Sequence, residues 1–140
     1  MLIIGHRGAP SIKHENTIES FQEALNHNVD GLEFDIQLTQ DNQLVVFHDF
    51  EILNLQNQTK LISAHSLKEI QKTSTHYQIP TFEDVIKLCP PNKVINIEIK
   101  SNNLFNQFIV FKMLQILKKY SLYKNIIISS FNPFVLLETK

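Results

Sequence analysis

The sequence has 140 residues, 43% of them apolar, which is enough for one globular domain and too few for two. Its 13 basic and 14 acidic residues give a net charge of -1, without the basic excess of proteins that bind nucleic acids or anionic membranes. No apolar run approaches the ~18 residues of a membrane span, and a single Cys89 excludes an internal disulfide. We therefore expect a soluble, cytoplasmic protein.

The first segments predict a strand, a loop and a helix. Residues 2–5 are apolar without the basic flank or cleavage site of a signal peptide, and they predict a buried strand. The polar, glycine-containing residues 6–10 follow as a loop. Asn16, with Glu19 three residues later, is a candidate N-cap of an amphipathic helix that ends at residues 26–28.

Two segments in the middle of the sequence predict a hairpin. Residues 31–38 alternate between apolar and polar side chains, which indicates a strand with an acidic face carrying Glu33 and Asp35. The apolar residues 44–47 follow after only five residues, whereas a parallel crossover needs a dozen or more. We therefore expect the two segments to pair in an antiparallel manner.

The position of the turn decides which residue faces His48. A turn centred on residues 40–41 places His48 opposite Glu33, and a turn centred one residue later places it opposite Asp35. Either register predicts that His48 lies beside the acidic face.

The next segments predict a loop and two helices. Residues 49–63 are polar, rich in asparagine and glutamine, and aperiodic, which is typical of an exposed loop. Short helices are expected over residues 66–72 and 81–88, with Ser66 and Thr81 as N-caps, and a double proline ends the second.

The last segments predict a strand, a helix and another strand. Residues 94–100 alternate, with isoleucines on one side and Asn96, Glu98 and Lys100 on the other. A mostly apolar helix is expected over residues 104–120 and a fifth strand over residues 126–130. The phenylalanines of the helix predict packing against the sheet; they are Phe105, Phe108 and Phe111.

These elements favour an α/β protein of the TIM-type βα-barrel class. Its strands turn an apolar face to helices and a polar face inward, where barrel active sites lie at the carboxyl ends of the strands. A whole barrel needs eight strands and ~250 residues. Residues 1–140 therefore predict one domain, truncated at its C terminus, with about five of the eight strands and an antiparallel hairpin between the second and third.

The inward polar residues predict a metal-dependent site. Three carboxylates on neighbouring strands suit Mg²⁺ or Ca²⁺ better than Zn²⁺, and they would repel one another without a cation. Two histidines near a cation and a phosphate can act as general base and general acid, while arginine and lysine bind phosphate oxygens. The candidates are Glu33, Asp35 and Glu98 for the metal, His6 and His48 for acid–base chemistry, and Arg7 and Lys100 for phosphate.

Two alternatives stay open for these residues. Glu33 and Asp35 also fit the solvated face of an edge strand. Arg7 also fits a simple ion pair with Glu15, a role that is compatible with phosphate binding.

The order and spacing of five motifs resemble the glycerophosphodiester phosphodiesterase family over nearly the whole chain. The motifs are His6-Arg7-Gly8, Glu15-Asn16-Thr17, Asp30-Gly31-Leu32-Glu33-Phe34-Asp35, His48-Asp49 and Asn96-Ile97-Glu98-Ile99-Lys100. The resemblance implies the same metal, acid–base and phosphate roles. It also implies cleavage of deacylated phospholipids to an alcohol and glycerol 3-phosphate, with attack by the glycerol hydroxyl and a cyclic intermediate as one route.

The sequence departs from the family pattern at three points. His14 and Phe50 stand where the family usually has proline, which we expect to alter loop shape only. The late strands and their tryptophan-containing segment are absent, and the sequence has no tryptophan. Two other functions therefore stay open: another phosphodiesterase of the phospholipase-C-like group with a different lipid-derived substrate, and a non-catalytic barrel remnant. Open sheet edges predict self-association or binding of a complementary C-terminal half.

Overall fold

The computed structural model of the chain describes residues 1–54, 58–74, 76–102, 106–122 and 124–139. Its strands are β1 (Ile4–His6), β2 (Gly31–Leu38), β3 (Leu44–Val46), β4 (Glu51–Leu53), β5 (Thr59–Leu61), β6 (Val94–Ile99) and β7 (Ile126–Ser129). Its helices are α1 (Ile18–Asn26), α2 (Leu67–Thr73), α3 (Phe82–Leu88), α4 (Gln107–Lys119) and α5 (Pro133–Leu137), with a 3₁₀ turn over Ile62–Ala64.

β2 is the central strand of a five-stranded sheet. The strand order is β1-β2-β6-β7, and β3 also pairs with β2. The strands β1, β2, β6 and β7 run parallel, whereas β3 is antiparallel to β2. The predicted five strands, the hairpin and the alternation of strands with helices are confirmed.

The main core lies between the apolar faces of β2 and β6 and three helices, α1, α3 and α4. The Phe34 ring of β2 is fully buried between Phe21 of α1, at 5.6 Å between ring centroids, and Phe82 of α3, at 6.1 Å. Aromatic pairs in such tilted arrangements contribute beyond the apolar area that they bury. The alternating residues of β2 therefore anchor the helices on one side of the sheet.

A second, smaller core corrects the prediction for residues 49–63. This segment is not an irregular loop: β4 and β5 form an antiparallel hairpin, and the 3₁₀ turn follows at once. Ile52 and Ile62 are buried against Ile70 and Ile79. Each of these isoleucines adjoins an exposed leucine, Leu53 or Leu61, so the sequence shows no period that separates buried from exposed positions.

The N-terminal predictions are wrong in two details. β1 begins at Ile4, while Leu2 and Ile3 are 63% and 57% exposed, so the predicted strand over residues 2–5 is shifted. Thr17, rather than Asn16, is the N-cap of α1, because the Thr17 hydroxyl accepts a hydrogen bond from the Ser20 amide at 3.2 Å. The predicted N-caps Ser66 and Thr81 are confirmed, each in a reciprocal capping box.

The hairpin register differs from both predicted registers. Ile36 pairs with Val46 and Gln37 with Val45, so the turn is centred on Asp41. The Thr39 amide donates a hydrogen bond to the Gln43 carbonyl and closes a turn over residues 39–43. This turn is longer than the two-residue turns of the predicted registers. If this register continued for two more residues, His48 would lie opposite Phe34 and not opposite Glu33 or Asp35.

α4 also differs from its prediction. It begins at Gln107, and the predicted residues Leu104 and Phe105 lie outside the described part of the chain. Phe108 and Phe111 are 44% and 57% exposed and do not pack in the core; that role falls to Ile109, Val110, Met113 and Leu117.

Among the helices that the structure describes, α4 included, none combines the length and the apolar character needed to cross a membrane.

Candidate metal centre and active site

Three carboxylates meet on the polar side of the sheet. Glu33 and Asp35 lie on β2, and Glu98 lies on β6, directly paired with Asp35 in the parallel register. One oxygen from each carboxylate lies within 4.8 Å of the other two. The structure therefore brings together the three acids that the sequence proposes as metal ligands. The edge-strand alternative is wrong, because β2 is central and both acids are buried.

The surroundings of these acids fit a divalent cation. Asp35 is fully buried. The burial of Glu33 itself is the main cause that raises the pKa of Glu33 to about 7, and the charge of Asp35 is the second. Asp35 Oδ1 and Glu98 Oε1 are buried oxygens whose neighbouring cation is the ammonium of Lys100. Three carboxylates that repel one another form an oxygen-rich site of the kind that Mg²⁺ and Ca²⁺ favour.

Two cationic side chains border the carboxylates. The Lys100 Nζ atom forms ion pairs with Glu98 Oε1 at 2.6 Å and with Asp35 Oδ1 at 3.3 Å. The Arg7 Nε atom lies 3.5 Å from Asp35 Oδ2. The Arg7 Nη1 atom also donates to both carboxylate oxygens of Glu15 at 3.1 Å. The alternative pairing of Arg7 with Glu15 is thus present, and it coexists with the contact to Asp35.

The loop after β1 holds Arg7 in place through its backbone. Arg7 adopts a left-handed φ of 54°, and its amide donates to the Glu33 carbonyl and to Glu33 Oε2, both at 3.0 Å. Gly8 follows with φ 89°, and a Cβ atom there would lie 2.4 Å from Ser20 Oγ. Only glycine allows the loop to approach α1 this closely.

Asn16 belongs to the site, although the sequence predicted it as the N-cap of α1. It is 2% exposed, adopts a left-handed φ of 56°, and its Nδ2 atom donates to Asp35 Oδ2 at 3.0 Å. Its Oδ1 atom is buried without a hydrogen-bond partner. The motif that carries the resemblance contains Asn16 directly before Thr17, a second possible N-cap, and this was the signal available in the sequence.

The two candidate histidines lie in different surroundings. His6 Nε2 lies 3.8 Å from Glu33 Oε2, at the edge of the acidic cluster, and its side chain is 67% exposed. His48 Nδ1 lies 2.7 Å from Asp49 Oδ1. The loop of His48 is fixed by Gln37, whose Nε2 atom donates to the carbonyls of Phe47, His48 and Asp49 at 2.8, 3.2 and 2.8 Å.

Two open cavities flank this polar side of the sheet. The first has a volume of about 500 Å³ and is lined by Lys100 and mainly by aromatic and amide side chains. Its aromatic residues are Phe50, Phe131 and Phe134. The second, about 380 Å³, is lined by Pro10, His14, Glu15, Phe47, His48, Asp49 and Tyr77. Each cavity thus shares at least one side chain with the candidate site.

Known proteins match this chain in sequence and in fold. The model of the glycerophosphoryl diester phosphodiesterase family matches residues 6–140. The glycerophosphodiester phosphodiesterase of Caldanaerobacter subterraneus subsp. tengcongensis is 35% identical over 149 residues, which cover 99% of this chain and 61% of that protein. The glycerophosphodiester phosphodiesterase structure from Thermotoga maritima is 33% identical, with a TM-score of 0.82 over 99% of this chain and 58% of that one.

A third similar structure is a phosphodiesterase from Oleispira antarctica in complex with its product sn-glycerol-3-phosphate. It is 24% identical, with a TM-score of 0.87 over 100% of this chain and 61% of that chain. These likenesses confirm the predicted TIM-type barrel architecture in partial form, since the chain spans about three fifths of the length of these relatives. The chain belongs to the glycerophosphoryl diester phosphodiesterase family.

Proposed function

We propose that this chain carries the metal and phosphate sites of an enzyme that hydrolyses glycerophosphodiesters to an alcohol and glycerol 3-phosphate. The observation that carries this proposal is the meeting of three carboxylates, within 4.8 Å of one another, beside Lys100 and Arg7. A divalent cation and two fixed positive side chains together suit a phosphodiester, which carries one negative charge. Membership of the family supports the same reaction.

Glu33, Asp35 and Glu98 would hold the cation, which we propose to be Ca²⁺ or Mg²⁺. When bound, the cation would stabilise negative charge that develops on the phosphate oxygens during hydrolysis. Oxygen-only ligands support this choice over Zn²⁺. Asn16 supports the site by orienting Asp35 through its Nδ2 atom. The buried free thiol of Cys89 is compatible with the reducing cytoplasm as the compartment.

Arg7 and Lys100 would bind the phosphate. The guanidinium of Arg7 offers parallel N–H donors, and its contacts with Asp35 and Glu15 hold it beside the acids. Lys100 adds a compact charge next to Asp35. Both side chains are held by carboxylates before a substrate arrives, which limits the entropy lost on binding it.

His6 and His48 would transfer protons. One imidazole takes the proton of the attacking hydroxyl, and the other donates a proton to the alcohol that leaves. The position of His6 beside Glu33 supports a role at the reacting phosphate. The contact of His48 with Asp49 supports a fixed orientation of its ring, since a carboxylate at Nδ1 determines which nitrogen carries the proton.

A coupled assay tests the reaction directly. Glycerol 3-phosphate released from glycerophosphocholine is measured with glycerol-3-phosphate dehydrogenase, with Ca²⁺, with Mg²⁺ and with EDTA. For the chain supplied with a complementary C-terminal half-barrel, we expect turnover that requires the cation. His6→Ala should lower kcat by ~10² or more and keep cation binding, because His6 is not a ligand in this proposal. Full activity in EDTA, or full activity of both His6→Ala and His48→Ala, would contradict the assignment.

The edges of the sheet support a second proposal, which concerns a binding partner. In the described part of the chain, β1 and β7 each pair on one side only. Apolar side chains near these edges are exposed, among them Leu2, Ile127 and Phe131 at 63%, 51% and 89%. We propose that these edges pair with another copy of the chain or with a complementary C-terminal half-barrel. Light scattering after size-exclusion chromatography should then show dimers or aggregates, whereas a stable monomer that turns over substrate unaided would contradict this.

A further inference from the structure

The cavity bounded by Glu15, Asp49 and Tyr77 has the chemistry of a cation-binding subsite. Two of its seven lining residues are carboxylates, and lysine and arginine are absent from the lining that the structure describes. The aromatic cavity that flanks the same polar side of the sheet is lined by Lys100 instead. The two cavities therefore present opposite charge to a bound molecule.

Two stacked aromatic rings line part of this cavity. The rings of His14 and Tyr77 are stacked, with their centroids 3.5 Å apart and their planes at 19°. His14 replaces a loop proline of the family pattern and thereby gives Tyr77 a stacking partner. The stack restrains the orientation of the Tyr77 ring, and an ordered aromatic ring beside carboxylates is a favourable surface for an ammonium group.

The negative charge of the two carboxylates extends across the cavity. Burial first, and the charges of Asp49 and Glu15 in addition, raise the pKa of the Tyr77 hydroxyl, against the effect of its hydrogen bond with Ser74. The hydroxyl therefore stays protonated and neutral at physiological pH. An ammonium group in this cavity would meet the carboxylate of Asp49, the carboxylate of Glu15 that is paired with Arg7, and a neutral aromatic ring.

The cavity also lies next to the proposed phosphate site. Glu15 lines it and is held by Arg7, which in turn contacts the buried Asp35. His48, the proposed proton donor or acceptor, lines it as well. A diester whose phosphate contacts Arg7 can therefore direct its alcohol substituent into this cavity.

We propose that this cavity binds the ammonium of an amino-alcohol head group, so that the chain prefers glycerophosphodiesters of choline or ethanolamine over those of inositol or glycerol. The inference rests on the proposed function and names its substrate class. The cavity volume of about 380 Å³ accommodates either head group. The hydroxyl groups of inositol and glycerol can donate hydrogen bonds to the two carboxylates, but they carry no positive charge to pair with them.

A binding experiment without turnover tests the subsite by itself. Choline and its neutral isostere 3,3-dimethyl-1-butanol are titrated into the cation-free protein in EDTA, and the Tyr77 ring protons are followed by NMR. We expect saturable shifts with choline and at least about twofold to about thirtyfold weaker binding of the isostere, the range of a cation–π contact alone. Tyr77→Leu should reduce this discrimination, and Tyr77→Phe should retain it. Equal binding of the two compounds to the wild type would overturn the proposal.

A kinetic experiment separates this proposal from the proposed function. The ratio of kcat/KM for glycerophosphocholine to that for glycerophosphoinositol is measured for wild type, Tyr77→Leu and Tyr77→Phe. We expect the ratio to fall for Tyr77→Leu and to hold for Tyr77→Phe. Turnover of both substrates at equal rates by the wild type would overturn the preference and leave the hydrolase assignment intact. If no diester is hydrolysed, the proposed function fails, and the choline titration still decides whether the cavity binds ammonium.

Discussion

The two faces of β2 are equally buried and chemically opposite. One face presents Leu32, Phe34 and Ile36 to the helices, and each is at most 1% exposed. The other face presents Glu33, Asp35 and Gln37, which are at most 6% exposed. One short strand thus carries both the packing that stabilises the fold and the charges of the candidate site.

The difference shows how each face relates to stability. The apolar face gains free energy from burial, whereas the polar face loses the hydration of two carboxylates and recovers it only in part through Arg7, Asn16 and Lys100. A face that weakens the fold and still occupies the centre of the sheet is expected at a functional site. The two faces should therefore respond to substitution in different ways.

Substituting both acids on the polar face should have the largest effect on cation binding. We expect isothermal titration with Ca²⁺ and Mg²⁺ to give no binding heat for the Glu33→Ala, Asp35→Ala double variant, because two of three ligands are removed. The control is a Glu19→Ala, Glu51→Ala double variant, which removes two exposed acids. Equal heats for the wild type and the Glu33, Asp35 double variant would contradict the assignment of the site.

Phe34→Ala should have the largest effect on the apolar face. We expect it to lower the free energy of unfolding by about 3–5 kcal/mol, because it leaves a cavity between Phe21 and Phe82. Urea denaturation measures this. Phe111→Ala is the control, since Phe111 is 57% exposed, and it should change stability by less than ~0.5 kcal/mol. Similar losses for the two variants would show that the core is assigned incorrectly.

Asn16→Ala should weaken cation binding without removing a proposed ligand. Loss of the hydrogen bond from Nδ2 releases Asp35, and removal of such a supporting contact costs about 10- to 100-fold in metal affinity. Asn42→Ala is a matched control, because Asn42 has a similar φ of 58° and is exposed on the β2–β3 turn. Unchanged affinity for Asn16→Ala would limit Asn16 to a role in loop conformation.

The pH dependence of stability should report Glu33 most directly. Its pKa is raised to about 7 in the folded chain, so the folded state binds a proton that the unfolded state releases near 4.5. In EDTA, this contribution is fully present below about pH 4.5 and is lost as pH rises through about 7, by at most roughly 3 kcal/mol. Urea titrations at several pH values should show the loss for wild type and for a Glu51→Gln control. Glu33→Gln should flatten the profile, and an unaltered profile would contradict the assignment.

The strands and the acids were predictable because their signal is periodic. Alternation along residues 31–38 and 94–100 places Glu33, Asp35 and Glu98 on one side, and parallel pairing of the two strands then brings the acids together. The β4–β5 hairpin was not predictable in this way, because the buried Ile52 and Ile62 adjoin exposed leucines and no alternation marks the buried positions. Their core partners Ile70 and Ile79 belong to other segments of the chain. Local patterns do not specify such contacts.

Two errors at the site have local causes. Asn16 and Thr17 are adjacent, and both are good N-caps, so only the three-dimensional position of Asp35 decides which one leaves the helix and enters the site. The hairpin register depends on the Thr39 side chain, which accepts a hydrogen bond from the Gln43 amide and stabilises a longer turn than the two considered. Side-chain to backbone hydrogen bonds of this kind compete with standard turns and are difficult to infer from sequence.

The central place of β2 also has a consequence for the order of events during synthesis. Its neighbours β1 and β3 are close in sequence, whereas β6, which supplies Glu98, follows some 60 residues later. At ~5–20 residues per second, a ribosome makes Glu33 and Asp35 about 3–12 s before their third partner and before Lys100. The nascent chain can complete the apolar contact of Phe34 with α1 during this interval, but two carboxylates stay without their partners. The acids of β2 are therefore solvated early and buried late, when β6 joins the sheet.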